Sequence, residues 1–182
     1  MPIDRRTFTL SSVGALSALA LSPFAMAGSD AMNQRIVLAS RPSGKPTADN
    51  FKIERVAIPA ISDGQMLLKT KYLSLDPYMR GRMNAGESYA ARVELGDVMV
   101  GGTVSEVVDS RNSAFKKGDL VTSYSGWQSY EVSSGQGIRK LDPRITNPSY
   151  ALGVLGMPGL TAYVGLFDIG EPKPGETVVL AA

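Results

Sequence analysis

Cysteine and histidine are both absent from the 182 residues, and together these absences close off much of enzyme chemistry. Without cysteine there is no disulfide framework, no thiolate metal site and no thiol nucleophile. Without histidine the commonest metal ligand and the usual general base near neutral pH are gone, along with any serine triad built on an imidazole. Proton movement falls to Tyr, Lys, carboxylates, water or a cofactor hydroxyl. A zinc site would need an all-carboxylate set, which is unusual for that metal. Charge of either sign is not in excess: 19 Lys+Arg against 17 Asp+Glu leave a formal +2, too little for a nucleic-acid surface. No apolar run reaches the roughly 20 residues of a bilayer span, so no stable membrane span is expected. There is no internal repeat and no low-complexity tract. What is present, 43% hydrophobic residues, describes a globular chain of one domain and a little more.

The opening residues read as an address. Arg5-Arg6-Thr7-Phe8-Thr9-Leu10 precede an apolar stretch from Val13 to Leu21 and then Ala25-Met26-Ala27, the charged start, greasy run and small-residue cut site of a signal peptide. The paired arginines with Phe two residues on resemble a twin-arginine signal, which carries folded cargo across the membrane. Residues 1–27 are therefore expected to be removed and the product to reach the periplasm. The alternative is a true start at Met32 and a cytoplasmic protein.

From Ile36 onward, short β-type runs alternate with turn signals: Arg35 to Leu38, Phe51 to Ala57, Gln65 to Leu75, Val98 to Val108, Asp119 to Ser123 and Gln128 to Val132. In the third run, alternation places Met66, Leu68, Thr70 and Tyr72 on one face. Phe115-Lys116-Lys117-Gly118-Asp119 reads as a tight turn with Gly at positive φ. The pair Gly101-Gly102 inside a β-rich run predicts a bulge or bend, as a small, partly open barrel needs at its corners. After about residue 150 the period changes: Leu160, Tyr163, Val164 and Phe167 share one helical face, and Gly170 with Pro172 and Pro174 ends that helix. Thr177 to Ala181 predicts a buried parallel strand. The expected organisation is a β-barrel domain over 28–150, then a linking helix and first strand of an incomplete nucleotide-binding domain over 151–182. Gly153-Val154-Leu155-Gly156-Met157-Pro158-Gly159 is not a phosphate loop, since its glycine spacing is wrong and Pro158 lacks an N–H.

Four blocks carry a family resemblance: Tyr72-Leu73-Ser74-Leu75-Asp76-Pro77-Tyr78-Met79-Arg80-Gly81-Arg82-Met83, Val100-Gly101-Gly102-Thr103-Val104, Ser125-Gly126-Trp127-Gln128-Ser129-Tyr130, and Gly156-Met157-Pro158-Gly159-Leu160-Thr161-Ala162-Tyr163. From about Asn33 to Ala182 the chain resembles the zinc-independent medium-chain dehydrogenase/reductases, in particular their bacterial curcumin-reductase and their double-bond and prostaglandin (leukotriene) reductase branches. The resemblance implies a mainly β fold, a GroES-like partly open β-barrel, followed by the first helix and strand of a truncated Rossmann α/β domain. It implies NADPH as cofactor, no metal, and a small-molecule enone or enal whose C=C bond is reduced by hydride transfer. A homodimer is open for the full-length protein. In such relatives the glycine fingerprint and the 2′-phosphate-binding basic residues would follow Ala182, so the 182 residues are expected to be a fragment, inactive alone. Two other functions stay open: a non-catalytic GroES-like remnant or interaction module, and a quinone reductase, although the Asp-Pro-Tyr-Met-Arg block favours the enone class.

By motif position, Tyr78 is the leading candidate for substrate contact, since a phenol can donate to a carbonyl oxygen and pack its ring on an apolar molecule; a core or rim tyrosine is the alternative. Arg80 is a candidate for an anionic group or the cofactor, against an arginine that fixes a loop through backbone carbonyls. Asp76 before Pro77 reads as a turn former rather than an acid. Trp127, with Tyr130, is weighed between an aromatic substrate pocket and a buried barrel aromatic. Tyr89 and Met83 belong to a stretch that could form a substrate loop. Met157, Pro158 and Thr161, at the entry to the linking helix, are expected by resemblance to border the nicotinamide.

Overall fold

The computed structural model describes residues 31–86 and 89–180; the leader expected over 1–27 lies outside them. Strand β1 (Met32–Leu38) runs antiparallel to β2 (Phe51–Ala57), with Ile36 opposite Ile53. The five remaining strands form one antiparallel sheet: β3 (Met66–Leu73), β4 (Thr103–Ser110), β5 (Leu120–Ser123), β6 (Tyr130–Ser133) and β7 (Arg139–Lys140), in the order β6-β3-β4-β5-β7. Strand β1 is then stitched to the loops around that sheet. The Ile36 amide donates to the Trp127 carbonyl at 2.8 Å, Ser129 to Gln34 at 2.9 Å, and Met99 to Ile36 at 3.0 Å. Buried Asn33 adds a side-chain splice, accepting from the Tyr130 amide at 2.9 Å while donating to Gln128 Oε1 at 3.2 Å. Since buried backbone donors must find acceptors, these bonds curl the sheet into the partly open, mainly β barrel that the resemblance implies.

Two apolar clusters fill it. Met66, Leu68, Val107 and Val121 are buried on one side with Phe115 and Ile138 against them. Leu38, Met79, Met83, Val93 and Met99 form the other, packed by Phe51, Tyr78, Val100 and Trp127. A polar seam runs beside them: Thr103 and Ser123 share a hydrogen bond of 2.7 Å, Ser123 and Ser125 one of 3.0 Å, and Ser125 donates to Glu131 at 2.6 Å. Thr103, Ser105, Ser123 and Ser125 are all buried, and pairing offsets the cost of burying a hydroxyl.

The β2 boundaries match the expected run, and Gly118 takes the expected positive φ of 91° ahead of β5. Other expectations need correction. The pair Gly101-Gly102 precedes β4 rather than interrupting it. At Gly101 an added Cβ would sit 2.8 Å from Leu73 Cδ1 and 3.1 Å from Met79 Cε, so close packing of helix on sheet sets that glycine. In β3 the alternation holds for fully buried Met66 and Leu68 but fails beyond, because register shifts between Leu67 and Leu68 and between Thr70 and Tyr72 turn Tyr72 outward. Strand β7 was not expected; two residues carry no alternation.

Helix α1 (Tyr78–Arg82) follows Pro77, whose fixed φ suits a helix start. Helix α2 (Met157–Tyr163) begins after Gly156 and widens into a π-helical turn over Val164–Gly170, with Glu171 at φ 41° beyond it. The stop at Gly170 is as expected, but the strand expected from Thr177 is corrected: Thr177–Leu180 belongs to no ladder. A lone strand has no partner for its amides and carbonyls, and none of the described residues supplies one. The helical face bearing Leu160, Tyr163 and Phe167 is exposed, with the Tyr163 and Phe167 rings 5.0 Å apart. No helix among the described residues is long and apolar enough to cross a membrane.

Candidate active site

A cavity of about 730 Å³ opens where the β3–α1 corner, the sheet and the approach to α2 meet. Ser74, Asp76, Tyr78 and Arg82 come from the corner. Gly102, Thr122, Ser123, Tyr124 and Arg139 come from β4, β5 and β7 or their flanks, and Ala151, Leu152, Leu155, Gly156, Met157 and Leu160 close the third side. Tyr89 also lines it and is itself highly exposed. One wall is thus phenolic and charged, and the opposite wall is aliphatic, the usual build of a site that orients a small, largely apolar molecule by a few polar groups.

The corner is held in place by arginines that do not face the cavity. Arg80 donates from Nε to the Gly44 carbonyl at 2.8 Å, from Nη2 to the Pro42 carbonyl at 3.2 Å and from Nη1 to Asn84 Oδ1 at 2.6 Å. The sequence reading that offered Arg80 to substrate or cofactor therefore gives way to its alternative, a loop-fixing arginine. Arg41, which sequence reasoning missed, works from the other side: its Nη1 donates to the carbonyls of Met83, Asn84 and Val93 at 2.9, 3.0 and 3.1 Å, and its Nη2 pairs with Glu94. A guanidinium can meet several carbonyls at once because its donors form a rigid planar fork. Between them, the two arginines clamp the turn that carries Tyr78 and Arg82.

Tyr78 packs its ring against the second apolar cluster and lines the cavity as well. Burial raises its phenol above the ordinary tyrosine range, and the nearby Asp76 and Tyr124 push the same way, while the positive charge of Arg82 opposes them. Like any tyrosine hydroxyl it is protonated at neutral pH, fit to donate a hydrogen bond, and the upward shift extends that state into alkaline solution.

The other expected site residues separate cleanly. Tyr89 and Met157 line the cavity with Tyr78. Trp127 does not: it stacks on Phe51 at 5.4 Å against the apolar cluster, a placement that favours the barrel-aromatic alternative. Pro158 is exposed and does not line the cavity. Thr161 donates its hydroxyl to the Met157 carbonyl at 2.8 Å and borders a separate apolar depression between the helix and residues 170–180. Residues missed by sequence reasoning include Arg82, Tyr124, Arg139 and Leu155. Of these only Arg82 left a signal, its i, i+4 spacing from Tyr78 on one helical face.

Residues 34–141 match a family described as the N-terminal domain of oxidoreductase. The chain is 57% identical over 150 residues to the NADPH-dependent curcumin reductase of Escherichia coli, covering 82% of this chain and 44% of that protein. It is 44% identical over 142 residues to mouse prostaglandin reductase 1, covering 76% of this chain and 41% of that one. Among solved structures, CurA of Vibrio vulnificus in complex with NADPH superposes with a TM-score of 0.74 at 53% identity, over 79% of this chain and 42% of that one. The chain therefore spans a little under half the length of the relatives it matches.

Proposed function

This chain belongs to the oxidoreductase N-terminal domains of the medium-chain dehydrogenase/reductases, and on that footing we propose that it forms the substrate-binding half of an NADPH-dependent reductase acting on the C=C bond of enones and enals. The observation that carries the reading is the Tyr78 phenol, a hydrogen-bond donor, on the wall of a cavity also lined by Leu152, Leu155 and Leu160. An α,β-unsaturated carbonyl laid there places its carbonyl oxygen toward Tyr78 and its hydrocarbon toward Leu152, Leu155 and Leu160. A donor already in place where negative charge develops lowers the barrier without reorganising.

When bound, NADPH supplies the hydride. Gly156, Met157 and Leu160 on the cavity wall would hold its nicotinamide end. No G-x-G-x-x-G turn occurs in the sequence, so the pyrophosphate has no cradle in these residues. The reaction is proposed to need no zinc, because Asp76 is the one carboxylate among the described lining residues and the sequence has neither Cys nor His.

The test is a chimera in which residues 33–182 replace the corresponding half of the E. coli curcumin reductase. Enone-dependent NADPH oxidation by the chimera, and none by the 182 residues alone, is the expected result. A folded, NADPH-binding chimera that leaves enones untouched would overturn the reading.

A further inference from the structure

Arg82 is the odd arginine of the corner. Arg41 and Arg80 spend their donors on carbonyls, whereas no hydrogen bond or ion pair engages the Arg82 guanidinium among the described residues, and its Nε is buried with no acceptor. A buried donor left unpaired costs free energy, more so on a cation, and here the cation lies on a cavity wall. A second cation, Arg139, lines the same cavity, and Asp76 is the one carboxylate among the described lining residues. The described lining thus carries more positive than negative charge.

We propose that Arg82 forms an anion subsite beside Tyr78, and that the substrates taken here are short enones bearing a carboxylate, the 4-oxo-2-enoate class. This rests on the enone reading above and narrows it. Tyr78 and Arg82 are i and i+4 on α1, neighbours on one face of the helix. A short ligand whose ketone oxygen meets the phenol and whose carboxylate meets the guanidinium, as in a 4-oxo-2-enoate, spans the two. A carboxylate accepting side by side from the two Nη groups, which have no partner among the described residues, gives a bidentate pair of the kind arginine forms well. Arg139 adds longer-range attraction, and Asp76 opposes it from the Tyr78 side of the cavity.

The experiment is a calorimetric titration of the 182-residue protein with 4-oxopent-2-enoate and with its methyl ester. The absence of cysteine removes thiol addition to these reactive probes. The acid should bind at least about tenfold more tightly than the ester, about 1.4 kcal/mol. Arg82→Gln should abolish that preference and leave ester affinity unchanged, and Arg82→Lys, which keeps the charge but not the fork, should retain part of it. Equal affinity for acid and ester in the native protein overturns the subsite while leaving the enone reading intact. So does a loss of acid and ester binding together in both variants, which would make Arg82 structural. Inorganic pyrophosphate serves as the third probe: tighter binding of it than of the acid, lost in Arg82→Gln, would assign the cation to a dinucleotide phosphate and overturn the proposal. Failure of both acid and ester to bind counts against the enone reading and the subsite alike.

Discussion

Arg80 reaches across 36 positions of sequence to the Gly44 carbonyl, 2.8 Å from its Nε, and so ties helix α1 to the loop after β1. With Pro42 and Asn84 as its other acceptors, it holds the turn that presents Tyr78. Arg80→Met keeps most of the stem but removes every donor. The expected loss is about 1–3 kcal/mol of stability, a fall of several degrees in melting temperature for a chain of this size. In the chimera, KM for an enone should rise with it, because the corner loses its clamp. An unchanged melting curve and unchanged KM would show that Arg41 suffices alone.

Tyr78→Phe, made in the same chimera, retains the ring and removes the hydroxyl. If the phenol steadies the carbonyl oxygen in the transition state, kcat/KM falls about tenfold or more, or roughly 1.4 kcal/mol, with little change in melting temperature. With the native residue, activity should persist into alkaline solution past the ordinary tyrosine range, because burial holds the phenol protonated there. Unaltered kinetics in Tyr78→Phe would assign the residue to packing.

Asp119 sits at the turn into β5, where the Lys116 amide donates to it at 3.0 Å and Lys140 of β7 approaches at 2.7 Å. The backbone hydrogen bond first, and the Lys140 ammonium second, hold its carboxyl below the usual carboxylate range. A lowered folded value means folding favours the ionised form. The contribution is whole above the ordinary value of about 3.9 and disappears as pH falls through the lowered one. The native protein should therefore exceed Asp119→Asn by about 1 kcal/mol or less at neutral pH, and the gap should close in acid. Denaturant midpoints across pH measure it, and a gap that widens in acid would refute the assignment.

Export of the chain through the twin-arginine route is proposed from Arg5 and Arg6 ahead of an apolar run too short to span a bilayer. A reporter fused to residues 1–40 should reach the periplasm, with Gly28 as the new N-terminus, and Arg5→Lys with Arg6→Lys should hold it in the cytoplasm at unchanged net charge. A reporter retained in the cytoplasm with the native residues, starting at Met32, would favour the internal start.

Local chemistry made part of this molecule legible in advance. The β2 run, the Gly118 turn and the Gly170 stop each depend on neighbours within a few residues, and each is where the residues imply. What escaped depends on distant parts of the chain. The outward turn of Tyr72 comes from how β3 registers on β4, which alternation cannot encode. The loss of Arg80 from the site list and the arrival of Arg82 turn on which carbonyls lie near α1 in space, with Gly44 and Pro42 more than 30 residues away. The 177–180 segment has a strand's composition without a strand's neighbours, and composition alone builds no ladder.

The hydroxyl seam has a consequence for how the barrel finds its pairing. Thr103 lies opposite Ser123 across β4 and β5, and the fully buried Val121 lies two residues from Ser123 on the same side. Sliding β5 by one residue would turn Ser123 out of the seam and set Thr122, with Leu120 or Tyr124, against Thr103 and Ser105, breaking the seam's pairing at about 1–3 kcal/mol for each group left stranded. An all-aliphatic interior of equal volume would accept the slipped pairing far more readily. The seam thus acts as an error check on assembly: misaligned strands are rejected by thirst for hydrogen bonds rather than by bulk.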